Sequence, residues 1–313
     1  MRLLLPLVGL LFSQCDLRPP DPIPAPLQVD GGTVERLSDF PSHFVAPRNV
    51  DVWLPEGYGD GTSYPVLYLH DGQMLYDAST TWNGQEWGID ETMGQLLRQA
   101  SIRPAIIVGI WNSDATRHAD YFPQRPFENL SPSYRESLLQ KTKPGTDAPL
   151  FAAAVQSDRY LQFITEELKP TIDRQYATLP EREHTFIGGS SMGGLISMYA
   201  LCEYPEVFSA AACLSTHWPG IFEVENNPIP DAFIAYLREQ LPDPGTQRWY
   251  FDYGTATLDT LYEPFQVRVD EIFREKGYPT ADWQSLKFAG ADHSENAWRR
   301  RLAVPLQFLL GPQ

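Results

Sequence analysis

The sequence predicts an α/β fold, in which a mostly parallel, twisted sheet is covered by helices on both faces. Short β-branched and apolar runs alternate with segments whose apolar residues recur at helical spacing, as in crossover connections between parallel strands. Several strand-like runs are apolar throughout, which is expected of strands buried on both faces. The strand-like runs are Asn49–Leu54, Val66–Leu69, Ala105–Ile110, His184–Ile187, Ala210–Leu214, Trp249–Tyr253 and Ser285–Phe288. The helical runs are Arg159–Thr171, Leu195–Glu203, Asp231–Gln240 and Pro264–Lys276.

The composition is that of a folded, acidic protein. Of the 313 residues, 42% are hydrophobic and 20% are charged, and 24 Lys and Arg against 40 Asp and Glu give a formal net charge of −16. This charge argues against a nucleic-acid partner, because neutralising phosphates requires a basic surface. Three cysteines are too few for a disulfide framework or a four-ligand zinc site.

The first thirty residues predict a targeting segment and a spacer. The apolar run from Leu3 to Phe12 is too short to span a bilayer but fits the core of a secretory signal. Cys15 follows it in an arrangement that resembles a bacterial lipoprotein signal, whose cysteine is lipidated. We therefore expect export, to the periplasm or cell surface with a lipid anchor at Cys15, or by plain secretion. The expected division is a signal peptide in residues 1–15, a Pro-rich spacer in 16–30 and one folded domain in 31–313.

Two long polar segments interrupt the alternation of strands and helices. One runs from Trp111 to Ser157, and the other, rich in proline, runs from Trp218 to Gln247. Long connections in a compact domain are usually functional. We expect both to form walls or lids over a binding site.

Residues 188–194 carry the pattern typical of a nucleophilic serine. Gly189, Ser191 and Gly193 match Gly-x-Ser-x-Gly between a predicted strand and a predicted helix. A serine on such a sharp turn has its hydroxyl held above the sheet, and the flanking glycines let strand and helix approach each other. We predict Ser191 as the nucleophile. Ser190 is the alternative, although its neighbours fit the pattern less well.

A general base and an orienting acid should follow the nucleophile in the order serine, acid, histidine. His293 comes just after the last predicted strand, so its imidazole can reach the carboxyl edge of the sheet, and we predict it as the base. The acid should lie on the loop after the preceding strand. Asp259 lies on that loop and is preferred. Asp252, within the strand, and Glu263 remain alternatives.

An ester carbonyl that is attacked by serine becomes anionic and needs two preorganised donors. One should be the backbone N–H of Met192, directly after the nucleophile. The other should come from the loop after Val66–Leu69, at Gly72 or Gln73. The adjacent pair His70 and Asp71 does not predict a metal site, because sequence neighbours rarely converge on one ion. We expect neither metal nor cofactor.

Further candidates line the same edge of the sheet, where open α/β sheets bind ligands. Trp111, His217 and Trp218 follow predicted strands, and Asn112 and Arg117 lie in the first long segment. Trp82 and Trp87 follow the predicted donor loop, so an aromatic-lined cleft is expected. Such a cleft suits a sugar face or a phenolic acyl group. The substrate-binding candidates are Trp111, Asn112, Arg117, His217 and Trp218.

Together these motifs resemble the esterase family of the α/β-hydrolase superfamily that includes esterase D, feruloyl and acetylxylan esterases, enterochelin esterases and mycolyltransferases. The similarity runs from about Arg48 to Leu309. It is carried by His70-Asp71-Gly72-Gln73, by Gly109-Ile110 through Asn112, Arg117 and Tyr121, by Gly189-Ser190-Ser191-Met192-Gly193-Gly194, by Gly254-Thr255 through Asp259, and by His293-Ser294-Glu295 with Trp298.

The resemblance implies an eight-stranded α/β-hydrolase sheet and carboxylic-ester hydrolysis through an acyl-enzyme. It favours Asp259, because related enzymes often place the acid after a Gly-Thr pair. The expected partner is a small-molecule or saccharide ester, with acylated carbohydrate or phenolic esters as candidates. An acyltransferase with the same triad and a siderophore-lactone esterase are alternatives, and a non-enzymatic surface binding protein is the least favoured.

Overall fold

The computed structural model describes residue 27 and residues 29–312, and over these residues the chain forms an eight-stranded sheet in the order β1-β2-β4-β3-β5-β6-β7-β8. Strand β2 pairs antiparallel with β1 and with β4, and all other neighbours are parallel. The predicted α/β fold is thus confirmed. The strands are β1 Gly32–Phe40, β2 Arg48–Pro55, β3 Val66–His70, β4 Ile106–Ile110, β5 Thr185–Ser190, β6 Ala210–Leu214, β7 Arg248–Gly254 and β8 Trp283–Phe288.

Helices cover the sheet and separate most of its parallel strands. They are α1 Ile89–Arg98, α2 Arg117–Tyr121, α3 Gln124–Glu128, α4 Pro132–Leu139, α5 Ser157–Gln162, α6 Lys169–Gln175, α7 Met192–Glu203, α8 Ile229–Gln240, α9 Glu263–Glu275, α10 Glu295–Arg301 and α11 Ala303–Leu310. A π-helical stretch, Phe163–Leu168, joins α5 to α6, and four short 3₁₀ turns lie in the connections. None of the described helices is long and apolar enough to cross a bilayer.

Among the described strands, β1 is the one that the sequence pattern did not predict. It lies at the edge of the sheet and most of its residues are partly or fully exposed, so it has no continuous apolar run. The strands predicted from apolar runs, such as β4 and β6, are buried along their whole length. The expected signal segment and Cys15 lie outside the described residues.

Six parallel strands end at one edge of the sheet and bring distant parts of the chain together. The residues after β3, β4, β5, β6, β7 and β8 all lie at this edge, because parallel strands share a direction. Buried apolar residues form one cluster on each face of the sheet, the larger one under α7 to α9 and the smaller one against α1 and α11. The carboxyl edge therefore rests on a core that is packed on both sides.

Asp90 fixes the start of the described chain to helix α1. Its Oδ2 accepts the backbone N–H of Asp30 at 2.6 Å, while Oδ1 is buried without a hydrogen-bond partner among the described residues. Burial raises the pKa of Asp90 from 3.8 to about 7, and the neighbouring Glu91 adds to this shift. An ionised carboxylate at this position therefore costs folding free energy.

Asp90→Asn should stabilise the protein, and more so at pH 8.5 than at pH 5.5. The folded-state pKa is raised, so the penalty for ionising Asp90 grows as the pH rises from about 4 and is complete above about 7. Asparagine keeps the acceptor for Asp30 and never ionises. Thermal melting at both pH values, with the exposed Asp147→Asn as the control, measures the difference. An equal increase in melting temperature at both pH values would contradict the prediction.

Candidate active site

The turn between β5 and α7 holds Ser191 in a strained backbone conformation. Its φ is 57° and its ψ is −119°, which a residue with a side chain rarely adopts. The two motif glycines permit this geometry: a Cβ at Gly189 would lie 3.0 Å from the backbone of Gly193. A Cβ at Gly193 would lie 3.3 Å from Cβ of His70. The strand and helix therefore approach closely, and the turn presents Ser191 at the carboxyl edge.

A buried carboxylate orients His293. The Nδ1–H of His293 donates to Oδ1 of Asp259 at 2.6 Å, and Asp259 is 1% exposed. Its other oxygen, Oδ2, accepts the backbone N–H of Gly254 and the hydroxyl of Ser215, each at 2.6 Å. Burial alone would raise the pKa of Asp259, but these contacts with His293, Ser215 and Gly254 hold it below its ordinary value.

Of the alternative acids, Asp252 is bound elsewhere. Its Oδ1 accepts a hydrogen bond from Arg301 Nη2 at 2.8 Å, and its Oδ2 accepts the hydroxyl of Tyr250 at 3.0 Å. Glu263 forms an exposed ion pair with Lys287. The structure therefore brings Asp259, rather than either alternative, to the imidazole of His293.

The hydroxyl of Ser191 borders the same cavity as His293, although no hydrogen bond joins the two side chains among the described residues. It lies beside the phenol of Tyr262: burial raises the pKa of Tyr262 well above its ordinary value, and the Ser191 hydroxyl acts in the opposite direction. Hydrogen bonds between nucleophile and base are often long without substrate and shorten in the complex. The Tyr262 hydroxyl also shares a 2.8 Å hydrogen bond with Nδ1 of His217.

The loop after β3 is held by a network around Asp71. Arg117 binds both carboxylate oxygens of Asp71 at 2.7 Å, and Asn112 Nδ2 donates to its Oδ1 at 2.7 Å. Gln73 and Met192 both line the cavity beside the nucleophile. Gly72 packs instead against β4, where a Cβ would lie 2.4 Å from the carbonyl carbon of Gly109.

A cavity of about 600 Å³ opens above these groups. Of the five predicted substrate-binding residues, Asn112, Arg117 and His217 line it. Both long segments contribute to its wall, as expected, the first through Arg117 and His118 and the second through Phe222. Trp82, Trp87 and Trp298 also line the cavity.

Trp111 and Trp218 do not line this cavity, so their predicted place in its wall was wrong. The indole of Trp111 donates to Asp51 at 2.8 Å, and the guanidinium of Arg36 lies over its ring. Trp218 is fully buried, and its indole donates to Gln266 at 3.0 Å. Both follow strand ends, but their side chains point back to the sheet and into the core.

The sequence did not point to three buried groups near Ser191. Ser215 and Tyr262 have the contacts described above, and Nε2 of His118 bonds to the carbonyl oxygen of Gly220 at 2.8 Å. Ser215 was detectable in principle, because it directly follows β6 at the edge that holds the other site residues. His118 lies in the short helix α2 and Tyr262 lies between a 3₁₀ turn and α9, where the sequence carries no such signal.

No three His, Cys, Asp or Glu residues in the described part of the chain are placed to hold a metal ion. His70 shares a 2.8 Å hydrogen bond with Tyr160, and burial lowers its pKa to about 3. Its neighbour Asp71 is bound to Arg117. Both members of the pair are therefore engaged by protein groups.

The eight-stranded sheet, the strained serine turn and the carboxylate–histidine pair at its edge are those of an α/β hydrolase that uses serine. The family model described as "Putative esterase" matches residues 43–309, and the chain belongs to this family. The protein is a serine esterase that hydrolyses carboxylic esters, as the resemblance of its motifs implied.

Several known proteins are similar to this chain. An uncharacterised protein YbbA of Bacillus subtilis is 22% identical over 86% of this chain and 95% of its own length. The ferri-bacillibactin esterase BesA of the same organism is 28% identical over 56% of this chain, and the match spans 55% of that enzyme. A solved ferulic acid esterase from Anaeromyces mucronatus superposes with a TM-score of 0.60 at 21% identity and 90% coverage of both chains.

Asp259→Asn should lower kcat by roughly 10⁴-fold, because an asparagine amide holds the imidazole in the wrong tautomer. Asp252→Asn should instead keep kcat within about tenfold. Its main effect should be a lower melting temperature, because it leaves Arg301 buried and unpaired at a cost of about 3–5 kcal/mol. Steady-state kinetics on p-nitrophenyl acetate and thermal melting of both variants separate the two outcomes. The reverse pattern would make Asp252 the acid.

Proposed function

We propose that Ser191, His293 and Asp259 are the catalytic triad of this esterase. The observation that supports this most directly is the 2.6 Å hydrogen bond from His293 to a buried Asp259, at the cavity that Ser191 also borders. The strained turn at Ser191 adds to this support, since it is the conformation in which a serine hydroxyl stands clear of the sheet.

In the proposed reaction the Ser191 hydroxyl attacks the ester carbonyl carbon. His293 Nε2 takes the hydroxyl proton as the new C–O bond forms, and Asp259 stabilises the resulting imidazolium. The imidazolium then gives its proton to the leaving alcohol as the ester C–O bond breaks, which leaves an acyl-enzyme. Water, deprotonated by the same imidazole, hydrolyses the acyl-enzyme and restores the serine.

The oxyanion of each tetrahedral intermediate needs two backbone donors. We infer that these are the N–H groups of Met192 and Gln73, because both residues line the cavity beside Ser191. Gly72 is better explained by its close approach to Gly109, which leaves no room for a side chain. The ion pair between Asp71 and Arg117 would keep this loop rigid during the reaction.

We infer that the substrate is an ester carrying an aromatic or other ring-shaped group. The cavity is lined by Trp82, Trp87, Trp298 and Phe222, whose flat faces suit such rings. Among similar proteins, one is named as a ferri-bacillibactin esterase and another as a ferulic acid esterase.

Ser191→Ala should reduce kcat on p-nitrophenyl acetate by roughly 10⁴- to 10⁶-fold, because the nucleophile is lost while the fold is kept. Ser190→Ala is the matched control: it should keep most of the activity and should still react with a fluorophosphonate probe. A Ser191→Ala protein that hydrolyses the ester at the parent rate, or that the probe still labels, would refute the proposed triad.

Trp82 is a candidate for binding the alcohol part of the substrate. It is 84% exposed, although indoles are usually at least partly buried. Its loop is tied to the segment after His293, since Asn83 donates to Glu295 at 2.8 Å and the N–H of Asn296 donates to Gln85 at 3.3 Å. His293 protonates the leaving alcohol, so Trp82 would stand on the alcohol side of the cavity.

Trp82→Ala should lower kcat/KM about tenfold for acetates of ring-bearing alcohols, such as p-nitrophenol or a pyranoside, because ring stacking is lost. For ethyl acetate, which delivers the same acyl group, kcat/KM should change little. Trp82→Phe, which keeps a ring, should restore most of the difference. Equal losses on all three acetates would argue against a role in alcohol binding.

A further inference from the structure

Ser215 lies behind the carboxylate of Asp259, on the side away from His293. It is the first residue after β6, it is fully buried, and its φ is 41°, in the left-handed region. Its hydroxyl donates to Oδ2 of Asp259 at 2.6 Å. Oδ1 of the same carboxylate accepts the Nδ1–H of His293.

The direction of this hydrogen bond is fixed by the other partners of the hydroxyl. Trp298 Nε1 lies 3.0 Å and Arg301 Nη2 lies 2.8 Å from the Ser215 oxygen, and both groups can only donate. A serine hydroxyl has one proton and two acceptor positions. With both acceptor positions filled, its proton must point at Asp259.

The buried ion pair between Arg301 and Asp252 stabilises this arrangement through contacts with Ser215. The same Nη2 of Arg301 donates to Oδ1 of Asp252 at 2.8 Å, and the backbone N–H of Ser215 donates to that oxygen at 3.2 Å. Tyr250 donates to the other oxygen of Asp252 at 3.0 Å. Asp252 and Arg301 neutralise each other, and the cation is placed where it polarises the Ser215 O–H towards Asp259.

Asp259 needs such a support because it lies in the short 3₁₀ turn Thr257–Leu261, not in a strand. Two donors on Oδ2, the Ser215 hydroxyl and the Gly254 N–H, fix the rotation of the carboxylate. Oδ1 is then left facing the imidazole.

We propose that Ser215, held by the buried Arg301–Asp252 pair, is a positioning residue that locks the carboxylate of Asp259 in the orientation His293 requires. This proposal rests on the triad proposed above. The sequence offered Asp252 as an alternative catalytic acid. In this proposal Asp252 instead helps to fix the orientation of Asp259, through Arg301 and Ser215.

Two variants, Ser215→Ala and Ser215→Gly, test this role. Both remove the hydroxyl, but glycine adopts the left-handed backbone of residue 215 without strain, so it separates loss of the hydrogen bond from loss of stability. Thr185→Val is the matched control, because it removes a buried hydroxyl outside the network, at the opposite end of β5 from Ser191, where it donates to the carbonyl oxygen of Glu181. The substrate is p-nitrophenyl acetate.

Both Ser215 variants should lower kcat about tenfold at unchanged KM, the size expected for one hydrogen bond to a charged group. The carboxylate loses a donor and becomes more basic, so the acid limb of the kcat/KM profile should move to higher pH. The downfield proton resonance of the His293–Asp259 hydrogen bond should move as well. Thr185→Val should change kcat, acid limb and resonance little.

If Ser215→Gly has the same kcat, the same acid limb of the kcat/KM profile and the same His293–Asp259 proton resonance as the parent enzyme, the positioning role is refuted. It is also refuted if the variant changes only KM. Should Ser215→Ala fail to fold, Ser215→Gly alone decides. Ser191→Ala distinguishes the two proposals. If Ser191→Ala is inactive while the Ser215 variants behave like the parent enzyme, the triad proposal stands and only the positioning role is refuted. If Ser191→Ala is active, both proposals are refuted.

Discussion

The close approach of β5 and α7 at the serine turn is the constraint on which the site depends. A residue with a side chain at φ 57° and ψ −119° costs about 1–3 kcal/mol and persists only where its surroundings enforce it. Here the enforcement comes from β5, paired on both sides by β3 and β6, and from α7, which is buried along most of its length. Gly189 and Gly193 supply the space. The nucleophile thus owes its exposure to the packing of the central sheet.

The second requirement is to stabilise carboxylates that are buried beneath the cavity. Asp259, Asp252 and Asp71 are all buried, and each has hydrogen-bond donors on both oxygens or a guanidinium partner. Their partners are Arg117, Arg301 and His293. Each of these contacts joins parts of the chain that are far apart in sequence. These contacts hold Asp259, the loop after β3 and His293 in one rigid arrangement, and preorganisation of this kind lowers the reorganisation that a reaction needs.

Much of the site could be predicted from the sequence where the chemistry is local. Ser191 is marked by a seven-residue segment, and His293 follows from its position after the last strand. Contacts between distant residues were not predictable. Trp111 and Trp218 both follow strand ends, yet one packs on Arg36 and the other is buried beside Gln266. Strand position tells which edge a residue occupies, whereas neighbouring side chains decide where it points.

The sequence alone determined the α/β order of elements, the serine turn and the family, because these depend on local periodicity and on short motifs with fixed spacing. Tertiary structure placed Asp259, and not Asp252, beside the imidazole of His293. The two carboxylates are only a few residues apart, and what separates them is the placement of Arg301 and His293 from the end of the chain. A buried charge is stable only beside its partner, so the fold assigns each carboxylate its neighbour, and no local pattern encodes that pairing.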